Sequence, residues 1–251
     1  MITLLSIIAL GFFLGMRHAT DPDHVIAVTT IVAKQRGVAK AGIIGALWGM
    51  GHTLTIFLVG AAIILFKVAI PPRLGLSMEF AVGLMLILLG ILNLTGVLRW
   101  LQRRFTPAML TIPAADHTAP PVTAAAPGKN WLGGNLREMG LYNALRPLAI
   151  GTVHGLAGSA AVAILVMTTI ADPWWAIAYL LLFGLGTVAG MAAMTTAMAF
   201  PIVYTGRKMF RWNQWITVGS GLLSVAFGMF ISFQIGIGGG LFTASPHWTP
   251  R

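Results

Sequence analysis

The chain reads as an all-α membrane protein of about six transmembrane helices, arranged as two inverted three-helix repeats with the first helix interrupted near Pro22. Three observations carry that reading. Hydrophobic residues make up 57% of the 251 positions and charged residues only 9%, against roughly 45–50% and about 25% in ordinary globular chains. The apolar residues come in blocks of about 20 or more, enough to cross a hydrocarbon core of about 30 Å. Segments of the two halves also match at an offset of about 136 residues, the pattern of a repeat architecture. A soluble enzyme is excluded, because so few charges cannot cover the surface of a folded domain of this size.

The spans follow in order. The first runs from Ile2 to Val32 and is too long for a plain crossing; Pro22 removes a backbone donor and breaks it. The second covers Ile43 to Phe66 and the third Met78 to Leu98, completing a first repeat over 1–98. Residues 99–144 form a basic, Pro/Ala-rich cytoplasmic linker, flexible over Thr106–Asn130. Its Asp116-His117 pair is read as solvated filler. The fourth span covers Leu145 to Ile170, the fifth Trp174 to Phe200 and the sixth Trp215 to Ile235, a second repeat over 145–235. A short tail, 236–251, follows, and its His247 is given no role. Trp100, Trp174, Trp175, Trp212 and Trp215 fall at span ends, where indole rings favour the headgroup region.

A net charge of +10 would suggest nucleic acid in a soluble chain. Here the basic residues sit between apolar blocks. Twelve of the 16 Lys and Arg lie in loops 1–2, 3–4 and 5–6; Lys67, Arg73 and Arg251 lie on the other side, and Arg17 lies within a span. The positive-inside rule then puts both termini outside the cytoplasm. Zero cysteines exclude disulfides and thiolate metal ligands. The N-terminus lacks a basic n-region and a small-residue cleavage site, so no cleavable signal peptide is expected.

In the repeat, Gly15-Met16-Arg17-His18 aligns with Gly151-Thr152-Val153-His154, Gly49-Met50-Gly51-His52 with Gly184-Leu185-Gly186-Thr187, and Val82-Gly83 with Val218-Gly219. Three spans per half is an odd number, which inverts the halves and puts a ligand site at their interface.

Ionisable side chains in hydrocarbon are costly and mark function by default. Nearly all of them fall in Arg17-His18-Ala19-Thr20-Asp21-Pro22-Asp23-His24. At about 100° per residue, His18, Asp21 and His24 share one helical face about 120° wide. Asp23 points elsewhere unless Pro22 breaks the helix, in which case it and freed carbonyls turn toward the same cavity. Two imidazoles with one or two carboxylates and no sulfur suit a divalent first-row cation: nickel, cobalt, zinc or manganese. Imidazole binds when neutral, so affinity is expected to fall as pH drops toward roughly 6. Arg17 is expected to offset part of the negative charge. His52 is read as a ligand or pathway residue. His154 joins the set as the repeat counterpart of His18, with a plain helix–helix hydrogen bond as its alternative. The second half keeps neither aspartate, so one metal site built mainly from the first half is expected. Met191, Met194 and Met198 are read as packing, the four-spaced pairs Gly11/Gly15, Gly45/Gly49, Gly151/Gly155 and Gly186/Gly190 as close helix contacts, and Glu79 as interfacial and functionally silent.

The run Arg17 to Val25 resembles the His-x4-Asp-His signature of the nickel/cobalt transporter (NiCoT, NicO) superfamily, and Gly51-His52-Thr53 resembles its second motif. The resemblance lies in the first two spans. The second half carries His154-Gly155-Leu156-Ala157-Gly158-Ser159-Ala160-Ala161 in place of the further acidic motifs of eight-span members. The chain is thus similar to a short divergent branch, that of nickel permease-like or urease-accessory membrane proteins. The resemblance implies secondary uptake of Ni2+, with Co2+ next, across the cytoplasmic (inner) membrane, with His18, Asp21, Asp23, His24 and His52 recognising the metal. The ion is substrate and no permanently bound cofactor is implied. Superfamily exporters carry a His-rich loop, which a linker with the single His117 is not.

No nucleotide-binding motif is present, so no ATP hydrolysis is expected. An interior-negative potential supplies roughly 4.6 kcal/mol per 100 mV for a dication. Expected partners are the metal ion and the lipid bilayer, without nucleic acid. A second copy of the chain and a downstream metallochaperone or urease/hydrogenase maturation system stay open. The rival readings are an exporter of the same superfamily, a non-transporting metal sensor, a haem protein using His52 and His154, and a metalloenzyme.

Overall fold

The computed structural model describes residues 2–33, 37–66, 70–95, 144–156, 170, 172–206, 210–243 and 245–248, and every regular element among them is helical. In chain order these are α1 (Ile2–His18), α2 (Pro22–Val32), α3 (Val38–Phe66), α4 (Pro72–Thr95), α5 (144–156), α6 (Pro173–Gly206) and α7 (Phe210–Phe233). A π-helical turn (Gln234–Gly238) ends α7. Residues 96–143, with the linker pair Asp116-His117 and Trp100, lie outside the described residues, as does the second half of the expected fourth span, 157–169.

Four stretches are long and apolar enough to cross a membrane: Val38–Phe66, Pro72–Thr95, Pro173–Tyr204 and Trp215–Gly238. A helix apolar all round has no water-facing side. Accordingly Leu58, Leu88, Leu222 and Phe233 point outward, more than half exposed, as the lipid-facing surface of a multi-pass membrane protein. Trp174 and Trp215 are exposed at the starts of their spans.

The first span divides where Pro22 forces it. Helix α1 closes with tight turns, Thr20 N donating to Arg17 O at 2.8 Å and Asp21 N to His18 O at 3.1 Å. Asp21 is extended (φ −61°, ψ 147°), as the residue before a proline prefers. Pro22 then opens α2, at a position where no amide donor is needed. The third span starts earlier than expected, at Pro72 rather than Met78. Pro72 is itself a good first helical residue, so Glu79 lies two turns inside α4 and not at its edge.

Helix α6 is the spine, packed against α3 and α1, while α4 pairs with α7 and α2 bridges α4, α6 and α7. Glycine lets these backbones touch. A Cβ on Gly15 would overlap the Phe183 carbonyl, and one on Gly186 the Phe12 carbonyl. Between α3 and α5, a Cβ on Gly51 would overlap the Leu148 carbonyl, and one on Gly151 the Trp48 carbonyl. Between α4 and α7, Gly83 faces Gly228 O, Gly228 faces Gly83 O, and Gly90 faces Gly221 O, whereas nothing lies within 4 Å of Gly219. Met191 is fully buried in the core between α2, α3, α4 and α6, with Met194 and Met198 against it.

Candidate metal centre

The break between α1 and α2 gathers four ionisable side chains at one cavity. His18 ends α1, Asp23 and His24 open α2, and Asp21 sits in the connection. Helix α3 adds His52 and α5 adds His154, both fully buried. His24 is the centre: its ring centroid lies 4.2 Å from His154, 4.8 Å from His18 and 4.9 Å from His52. Two overlapping donor sets result, His18/His24/His52 and Asp23/His24/His154, each with its ligand atoms within 4.8 Å of one another.

The carboxylates set the nitrogens. Asp21 Oδ2 lies 2.8 Å from His18 Nδ1, so a neutral His18 carries its proton there and turns the Nε2 lone pair inward. Asp23 Oδ1 lies 3.0 Å from His24 Nδ1 and its Oδ2 lies 2.8 Å from His154 Nε2. His24 Nε2, His52 Nδ1 and His154 Nδ1 are buried with no hydrogen-bond partner among the described residues. His18 Nε2 and His52 Nε2 approach to 3.0 Å. With the His18 proton on Nδ1, its Nε2 accepts there from His52 Nε2–H. Bonds of about 2.1 Å from one first-row cation, set at right angles, would separate two imidazole nitrogens by about 3.0 Å as well.

His18, Asp21, Asp23, His24, His52 and His154 all line one cavity of about 410 Å³. Asp21 contacts His18 on the side away from the other rings and belongs to neither donor set. Two expectations are corrected. Arg17 is exposed and absent from the described lining; one residue from His18, it is turned about 100° around the helix. Glu79, expected to begin its span, lies two turns inside α4, which starts six residues earlier than expected, and lines the cavity.

Sequence reasoning also passed over the aromatic rings packed against the histidines. The Trp48 indole stacks on His24 at 5.9 Å and meets His154 edge-on at 5.6 Å, and Phe183 lies 5.5 Å from His18. Trp48 stands one helical turn before His52, so the four-residue spacing carried that signal.

Residues 4–131 match the NicO family, described as high-affinity nickel-transport protein. The chain is 35% identical over 244 residues to the urease accessory protein UreH of Bacillus sp. (strain TB-90), covering 96% of each chain. It is 23% identical over 227 residues to the chloroplast protein FOR GROWTH AND FERTILITY 2 of Arabidopsis thaliana, spanning 88% of this chain and 54% of that one. No solved structure matches.

Proposed function

The chain belongs to the NicO family, a family of membrane transport proteins and not of enzymes, and from that premise we propose that it imports a divalent transition metal, Ni2+ first and Co2+ next, across the cytoplasmic membrane. His18, His24 and His52 bind the ion, Asp23 and His154 complete or receive it, and Asp21 orients His18. The observation that carries this reading is the convergence of His18, His52 and His154 on His24, four of the chain's six histidines in one cluster, with three buried ring nitrogens otherwise without partners among the described residues. Leaving such groups unpaired costs about 1–3 kcal/mol each, a cost offset when a cation occupies the site. Similarity to a urease accessory protein supports nickel supply for enzyme maturation as its use.

The architecture in this reading is six spans in two inverted halves, 1–98 and 145–235, joined by the 99–144 linker and followed by the 236–251 tail. Supporting the inversion, the Gly15–Phe183 and Gly151–Trp48 contacts are equivalent under the repeat, as are Gly186–Phe12 and Gly51–Leu148. The third segment fits a register two residues from Val82-Gly83/Val218-Gly219, because the Gly83–Gly228 and Gly90–Gly221 contacts interchange when Gly83 matches Gly221. Glycine-rich helices align in several registers by sequence, and these paired contacts favour the Gly83/Gly221 one.

The membrane potential drives the dication inward, and both termini face outside. The test is 63Ni2+ uptake into cells expressing the chain beside His24→Ala, with cobalt, zinc and manganese as competitors. Accumulation that needs His24 supports import. Accumulation below that of empty cells would mean export, and binding without flux would mean a sensor.

A further inference from the structure

We propose that Glu79 is a second cation-binding group on the transport path, receiving the dication at the tail-covered end of the cavity before it reaches the histidines. This rests on the transport reading above and assigns that path its outer stop. Glu79 is an acidic residue two turns inside α4 that faces the cavity, the placement that marks a functional carboxylate in a spanning helix. It shares its cavity with His18, His24, His52 and His154. Gln234 lines the same cavity from the π-helical turn at the end of α7, and such turns are frequent at functional sites. A carboxylate and an amide oxygen are hard donors that suit an ion still holding water. The imidazoles beyond suit one that has shed it.

The tail explains how Glu79 is held. Gly240, at φ +77°, turns the chain back over α4. Trp248 then lies against Gly75, where a Cβ would overlap its ring, and its indole Nε1 donates to Glu79 Oε1 at 2.9 Å. A plain structural clasp is the competing account, and the two separate by chemistry. Glu79→Gln keeps an oxygen to accept the indole hydrogen bond but loses the charge; Trp248→Phe keeps the charge and loses the hydrogen bond.

The experiment measures 63Ni2+ flux into liposomes containing the purified full-length chain under an imposed potential, with equilibrium Ni2+ binding to the same protein in detergent. Glu79→Gln is expected to lower flux at low Ni2+ about tenfold, the size expected when one negative charge facing a dication is removed from a partly hydrated cavity, while binding at the histidines persists. Glu79→Asp should recover part of the flux, and Trp248→Phe, which keeps the charge, should cost clearly less flux than Glu79→Gln. Unchanged flux in Glu79→Gln, or equal losses in Glu79→Gln and Trp248→Phe with lowered thermal stability, overturns the proposal. His24→Ala runs beside them: normal flux there would instead sink the transport reading, so the two failures are distinguishable.

Discussion

At the scale of single residues, the two aspartates do different work although they flank the same proline. Asp21 bonds the outer nitrogen of His18 and is about half exposed, whereas Asp23 lies between His24 and His154. Partners that orient a metal-ligating imidazole typically contribute about 10–100-fold in affinity. Asp21→Asn is therefore expected to weaken Ni2+ binding by about that factor without abolishing it. Asp23→Asn, which removes the carboxylate of a donor set, should abolish transport. Isothermal titration of the purified variants distinguishes a weakened site from an absent one. The sequence put Asp21 on the face of His18 and His24, and Asp23 toward it only through a break at Pro22, but could not rank the two, since their roles depend on which imidazole nitrogen each reaches across that break.

Among the elements, close backbone approach decides whether α1, α3, α5 and α6 bring their side chains to one point. Gly15→Ala and Gly151→Ala each push a methyl group into a carbonyl of the facing helix, an overpacking that costs about 1–3 kcal/mol. Gly219→Ala meets nothing within 4 Å and gains about 1 kcal/mol of helix propensity. Opposite shifts in thermal unfolding temperature in detergent are the expected outcome. Equal shifts at all three positions would contradict the packing. The interruption near Pro22 was legible because proline acts locally on its own and the preceding residue. The early start of α4, which carries Glu79 into the cavity, was not, because Pro72 to Ser77 is too mixed in polarity to read as a span.

For the whole molecule, the cysteine-free chain makes orientation directly testable. A single cysteine placed at Ser245 should react with an impermeant maleimide in intact spheroplasts, and one at Gln35 only after lysis. Reversed accessibility would overturn the topology drawn from the basic loops. Net movement of two charges should also make 63Ni2+ uptake follow an imposed potassium diffusion potential, worth roughly 4.6 kcal/mol per 100 mV; uptake indifferent to potential would exclude a purely electrogenic route. The sequence alone determined the membrane environment, the helical class and the charged run around Pro22, because hydrophobic length, charge cost and proline geometry act within a single segment. Tertiary structure decided that His154 and Glu79 share a cavity with that run, and that Trp48 packs on His24 and His154. Those contacts join helices far apart in the chain, and only the packing of glycine-bearing backbones brings them together.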